Sequence, residues 1–334
     1  MNTNFHNQIK KEYCHKKILV TGASGYLATN LIHSLKDIDC TVIRLSRKNI
    51  LPPIKGNAHI IDFHGDIICK ETWERVLDEV DIIFHMAGQT SVYVADENSV
   101  DDMAVNVTSM LLLLTVCRDK KIKPIIIFAS TSTVVGIPEH VPVNETFFDQ
   151  PITLYDLHKL MAENYLKLFC LHDWVSGATL RLTNVYGPGP KSGSKDRGVL
   201  NQMIQKALIG ESLTIFGTGK FIRDYIFIED AVNAFLSAPM NLSEINGKHF
   251  IIGSGEGKSI AQAFALVAER VKEKMGISVS TEHKLPPADF SPIESRNFIA
   301  DSRKFKQAAG WDSQYSIKKG IDLTLQKYSS GLKK

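Results

Sequence analysis

The sequence predicts an α/β fold: a doubly wound parallel sheet followed by a smaller mixed α/β lobe. Three observations predict it. Short apolar runs of strand length alternate with helix-patterned stretches as far as residue 185. The first run breaks into a glycine turn that opens a helix, Thr21-Gly-Ala-Ser-Gly-Tyr-Leu-Ala28. Beyond Val185-Tyr-Gly-Pro-Gly-Pro190 the loops lengthen and Gly and Pro cluster. Together these give a Rossmann-type arrangement, with ligands expected at the carboxyl edge of the sheet.

Residues 1–16 are polar, mixed in charge and without the apolar core of a signal peptide, so a loose leader is expected there. Ile18 to Val20 is too short for a helix and suits a strand buried on both faces. Gly22 allows the tight turn, and Gly25 lets phosphates approach the backbone. Ala28 takes the third glycine's place, where the helix meets the strand. Leu27, Leu31, Ile32 and Leu35 then recur at helical spacing. Further strands are expected at 41–45, 59–63, 81–86, 124–129 and 178–182, and helices at 71–80, 100–118 and 155–171. They complete a nucleotide-binding domain over 17–185. A substrate lobe over 186–334 is expected to hold strands at 213–216, 225–228 and 249–252. Its helices are expected at 199–209, 259–273, 302–309 and 317–328.

Bulk properties narrow the function. Hydrophobic residues at 44% and charged residues at 22% are ordinary for a soluble globular protein. A net charge of +3 is too mild to imply nucleic acid or a membrane surface. The longest fully apolar run, Met110 to Leu114, is far below a membrane span. Five scattered cysteines without a C-x-x-C suit free thiols in a reducing cytoplasm, with no disulfide framework and no metal site.

The cofactor side follows the strand ends in order. Gly22, Ser24, Gly25, Tyr26 and Leu27 form the phosphate turn. The second strand runs into Ser46-Arg47-Lys48 with no acid for the ribose hydroxyls. Arg47 offers a planar fork to a 2′-phosphate and Lys48 a point charge, which favours NADP(H) and leaves NAD open. Asp66 and Ile67 stand where an adenine would be held, and Met86-Ala87-Gly88 lets the cofactor backbone pass close to the sheet.

Tyr155-Asp-Leu-His-Lys159 lies downstream of Ser130-Thr131-Ser132-Thr133, which closes the fifth strand. Residues four apart share a helix face, so Tyr155 and Lys159 can address one ligand. The ammonium favours the phenolate and brings the phenol towards neutral pH. Thr131 can hydrogen-bond the same substrate oxygen.

At this point the chain resembles the extended short-chain dehydrogenase/reductases, the group of nucleotide-sugar epimerases, dehydratases and reductases. The resemblance spans nearly all of 17–328 and adds Gly65-Asp66, His85 to Gly88, Asn106, Ser130 to Gly136 and Arg181-Leu-Thr-Asn184-Val-Tyr-Gly-Pro188. It extends to Phe216-Gly-Thr-Gly219, Arg223-Asp-Tyr225 and Gly310-Trp311. It implies Tyr155 as acid/base, Lys159 on the nicotinamide ribose and Thr131 on the reacting oxygen. Asn184 and Arg223 would hold the diphosphate, Phe216 would line the base pocket, and Asn106 would support the active-site helix. Thr90, Ser132, Thr133, Val199 and Arg296 complete the expected substrate contacts, Arg296 as the candidate for a second phosphate contact. A nucleotide-diphosphate sugar is the implied partner, and a homodimer is expected through helices near 110–116 and 160–168.

The departures choose among reactions. Ser132 and Thr133 stand where dehydratases of the group carry an acid, which disfavours elimination of water. With no acid after the second strand, the expected activity is an NADPH-dependent C4-ketosugar reductase. A 4-epimerase using the same residues is the alternative. A non-catalytic NADP-binding sensor is the alternative from another class, and the intact Tyr/Lys pair argues against it.

Overall fold

Seven strands build one parallel sheet, and its order explains where the site lies. In this computed structural model, which describes residues 3–190 and 198–332, β1 (Lys17–Thr21) is central. β2 (Thr41–Ser46) and β3 (His59–His64) extend to one side. β4 (Ile82–His85), β5 (Ile125–Thr131) and β6 (Ser176–Leu182) extend to the other. The order 3-2-1-4-5-6 reverses between β1 and β4, and that switch opens a crevice at the strands' carboxyl ends. β1, β4 and β5 are buried on both faces, as their apolar runs require.

A seventh strand corrects the expected division. His249–Ile252, expected in the second lobe, pairs in parallel with β6 at the sheet edge. The region beyond residue 183 therefore contributes a strand to the main sheet. It holds β7 (Asn184–Tyr186), β8 (Leu213–Phe216) and β9 (Ile222–Phe227), with β9 paired to β7 and to the short strand Gly257–Ser259.

Nor do the described residues 3–16 form a loose leader. Thr3–Tyr13 forms α1, and Ile9 and Tyr13, one turn apart on one face, are buried in the core. The Tyr13 hydroxyl donates to the Leu236 carbonyl at 2.8 Å, on a helix (Ile228–Ser237) that the sequence pattern did not reveal. Helical periodicity in a mostly polar segment is visible only once its apolar stripe has a partner.

α2 (Tyr26–Leu35) follows the glycine turn, and α3 (Lys70–Val76) buries Trp73 and Val76 in a core cluster with Leu19, Ile43 and Ile83. The long helix expected over 100–118 is present as one continuous helical segment, Ser99–Lys120, with a π-helical turn inside it. α4 (Val92–Glu97) and α5 (Ser99–Met103) lead into a π-helical turn, Ala104–Thr108, before α6 (Ser109–Lys120). Ser99–Lys120 has the length and hydropathy of a membrane span, but Met110, Leu113, Leu114, Val116 and Cys117 pack into the core beside the sheet. α7 (Leu154–Leu171) lies next to α6 and carries its buried polar face towards β5. All five cysteines are free.

Candidate functional site

The glycine turn is held open by contacts that no larger residue could make. Gly22 has φ +64°, and a Cβ there would lie 2.8 Å from the Ala87 Cα. The Gly25 N–H donates to the Gly22 carbonyl at 2.7 Å. α2 then begins with no side-chain cap on its first N–H groups, and Gly25 is exposed. A pyrophosphate suits such a helix start. Tyr26, expected on the cofactor, sends its side chain elsewhere. Its hydroxyl donates to the Gly187 carbonyl at 2.9 Å and its ring lies against Gly189, tying the turn to the second lobe; burial pushes its phenol up. Ser24 and Leu27 are half-buried beside it.

Thr21 fastens the next strand end. Its Oγ1 accepts the N–H groups of Met86 (3.1 Å) and Ala87 (3.0 Å). Both lone pairs are then used, so the hydroxyl hydrogen goes to His85 Nδ1 at 3.0 Å, which requires a neutral ring. Burial, with the Lys159 charge nearby, lowers the His85 pKa to about 3 and keeps it neutral. Gly88, exposed at the end of this segment, is a cradle: a Cβ there would lie 2.8 Å from Asn106 Oδ1 and 3.8 Å from Lys159 Nζ. Asn106 Oδ1 is buried without a hydrogen-bond partner. An orphaned acceptor and an ammonium beside a bare glycine fit the hydroxyls of a ribose.

Buried behind that cradle is a network the sequence did not announce. Asp102 Oδ1 accepts from Gln89 Nε2 (2.7 Å) and Asn106 Nδ2 (3.0 Å), and its Oδ2 faces His158 Nδ1 at 2.6 Å. Asn106 Nδ2 also donates to the Gln89 carbonyl at 3.0 Å. Asn106 sits in the π-helical turn and so reaches back to the β4 loop.

At the β2 end, Arg47 and Lys48 are exposed, and Ser46 Oγ accepts the Lys48 N–H at 3.0 Å. Arg44, by contrast, is buried and forked onto Asp62 at 2.6 and 2.7 Å. Asp66 is half-buried, with Oδ1 accepting the Ile68 N–H at 3.3 Å, while Ile67 is buried and its carbonyl receives Trp73 Nε1.

Tyr155 and Lys159 lie one turn apart on α7, both buried. Lys159 Nζ sits 4.1 Å over the Phe128 ring, a favourable place for a cation. Tyr155 clusters with Val92, Ala95 and Ile293, so a turn of the C-terminal region (Pro292–Ser295) roofs it. Thr131 Oγ1 is 2.6 Å from Thr133 Oγ1, and Ser132 is buried between them.

The expected diphosphate contacts are arranged differently from the expectation. The Arg223 fork is not open: Nη1 donates to the Arg296 carbonyl, and Nη2 to the carbonyl of Glu294 (2.7 Å) and its carboxylate (3.0 Å). The arginine holds down the turn that roofs Tyr155, because a buried guanidinium needs acceptors wherever they are nearest. Arg296 donates from Nη1 to the Ile293 carbonyl at 2.8 Å, and Asn184 Nδ2 donates to the Asp224 carbonyl at 3.2 Å. Thr90, Val199 and Phe216 are exposed, Phe216 with its ring 6.2 Å from Phe290.

Known proteins resemble the chain along most of its length. Residues 18–253 match the NAD dependent epimerase/dehydratase family. A UDP-glucose 4-epimerase of Azospirillum brasilense is 28% identical, over 91% of this chain and 89% of its own. A UDP-glucuronic acid decarboxylase 1 of Danio rerio is 27% identical, over 95% of this chain and 73% of its own. Among solved structures, the UDP-glucose 4-epimerase of Thermotoga maritima with UDP-glucose superposes with a TM-score of 0.83 at 28% identity, covering 95% and 99% of the two chains. That of Thermus thermophilus, in complex with NAD, gives 0.78 at 25% identity, covering 94% and 99%.

Proposed function

Because the chain belongs to the NAD dependent epimerase/dehydratase family, we propose that it is a UDP-sugar 4-epimerase using NAD. The observation that carries the reading is the Tyr155/Lys159 pair, buried on one face of α7 with the ammonium beside the Gly88 cradle. The relatives support epimerisation over the ketosugar reduction expected from the basic β2 end, and the NAD complex of a similar 4-epimerase supports NAD over NADP(H). The same reading takes the enzyme as cytoplasmic, which its scattered free thiols support, and as a homodimer.

The dinucleotide would lie with its pyrophosphate on the Gly22–Gly25 turn and its nicotinamide ribose between Gly88, Asn106 and Lys159. When bound, it supplies the hydride acceptor and donor for C4 of the sugar. Tyr155 Oη takes the proton of the C4 hydroxyl and later returns it. Lys159, one turn away, favours the ionised phenol. Thr131 holds the sugar oxygen from the β5 end.

The test is incubation with UDP-glucose or UDP-galactose and a small amount of NAD. The expected result is conversion of each sugar into the other with no lasting change in nicotinamide absorbance. Net oxidation or reduction of the cofactor, or no conversion, overturns the reading. The basic β2 end makes a separate prediction. Replacing Arg47 and Lys48 by alanine weakens NADPH by roughly tenfold, about one charge-assisted hydrogen bond, and leaves NADH nearly unchanged in fluorescence titration. Equal losses for both cofactors remove these side chains from the 2′-phosphate position.

A further inference from the structure

The β5 end holds no acid of its own, yet the fold brings one to it. Asp156, in the first turn of α7 beside Tyr155, is fully buried. Its Oδ1 accepts from the Thr133 hydroxyl and its Oδ2 from the Thr153 hydroxyl at 2.7 Å. Thr153 caps the helix and accepts the Asp156 N–H at 3.1 Å. Capping accounts for the Thr153 bond. It does not account for the bond to Thr133, which leads into the site.

That bond sets a direction. A hydroxyl has one hydrogen and two lone pairs. The Thr133 hydrogen points at the carboxylate, so in the 2.6 Å contact between Thr131 and Thr133 the hydrogen comes from Thr131. Thr131 Oγ1 also accepts the Thr133 N–H at 3.2 Å. What Thr131 has left for a ligand is one lone pair.

We propose that Asp156 is a positioning residue which, through Thr133, makes Thr131 a hydrogen-bond acceptor facing the hydroxyl at the sugar's reacting carbon. The proposal rests on the UDP-sugar reading above. A hydroxyl hydrogen can be shared between the Thr131 lone pair and an ionised Tyr155; a group that only accepts offers neither of them anything. Once the proton has passed to Tyr155 Oη, the same phenol donates to the ketone oxygen, so the oxidised sugar is held without help from Thr131.

The test uses the protein saturated with NADH, in which the sugar cannot be oxidised, and compares binding of UDP-glucose with UDP-4-deoxy-4-fluoroglucose by calorimetry. Fluorine accepts but has no hydrogen to donate. The wild-type protein is expected to prefer the hydroxyl by roughly tenfold, one net hydrogen bond. In Thr133→Val the Thr131 hydrogen is released to face the ligand, and the preference falls to near parity. Asp156→Asn moves it in the same direction and provides the second variant if the first folds poorly. Wild-type binding of both ligands with equal affinity, or an undiminished preference in the folded variants, overturns the proposal and leaves the epimerase reading standing. Binding of neither ligand by the wild-type protein overturns both.

Discussion

Tyr155→Phe lowers the epimerisation rate by about two to four orders of magnitude, the usual worth of a positioned acid/base, and leaves NAD affinity unchanged. The ring stays packed with Val92, Ala95 and Ile293, so the substitution removes one hydroxyl and little else. Turnover measured on UDP-galactose, with NADH titration as the binding control, separates the two effects. Activity retained within a small factor would take the phenol out of its role. Lys159→Met tests the same proton from the other side. With the ammonium gone from above Phe128 and beside Gly88, the phenol ionises less readily, and the rising limb of the pH–rate profile moves to higher pH.

Arg181→Met destabilises the fold by about 3–5 kcal/mol, the cost of breaking a buried ion pair by removing one partner. Arg181, on β6, has no exposed surface. Its guanidinium forks onto Asp149 at 2.6 and 2.8 Å and onto Glu163 of α7 at 2.8 to 3.1 Å. Ser130 on β5 donates to the same Glu163 at 2.5 Å. Without the arginine, Glu163 is left as an anion with no exposed surface and Asp149 loses its fork. Against a typical total of about 5–15 kcal/mol this is a large fraction. Urea unfolding monitored by tryptophan fluorescence reads it directly. A loss below about 1 kcal/mol would mean that the charges relax to solvent on substitution. Because the cluster joins β5, β6 and α7, its loss also loosens the helix that carries Tyr155.

Strand positions, the glycine turn and the Tyr155/Lys159 spacing were legible because each is a local pattern. A period of two or 3.6, a small residue where backbone must approach backbone, or two residues one turn apart survives without knowledge of neighbours. Asp102, His158 and Asp156 were not legible. Each sits in an ordinary helical stretch, and it acquires a role only because another helix or strand end is folded onto it. Arg223 shows the reverse: its motif was visible, but its partners, Glu294 and the Arg296 carbonyl, come from about seventy residues away.

Thus the sequence by itself determined the parallel sheet, the phosphate turn and the helix face that pairs a phenol with an ammonium. The tertiary structure alone decided that residues 3–13 are a core helix and that the strand at 249–252 joins the main sheet. It alone brought a carboxylate to stand behind Thr131 and Thr133. Local geometry is written in residue spacing, whereas the direction of a hydrogen bond depends on which distant group the fold places at its far end.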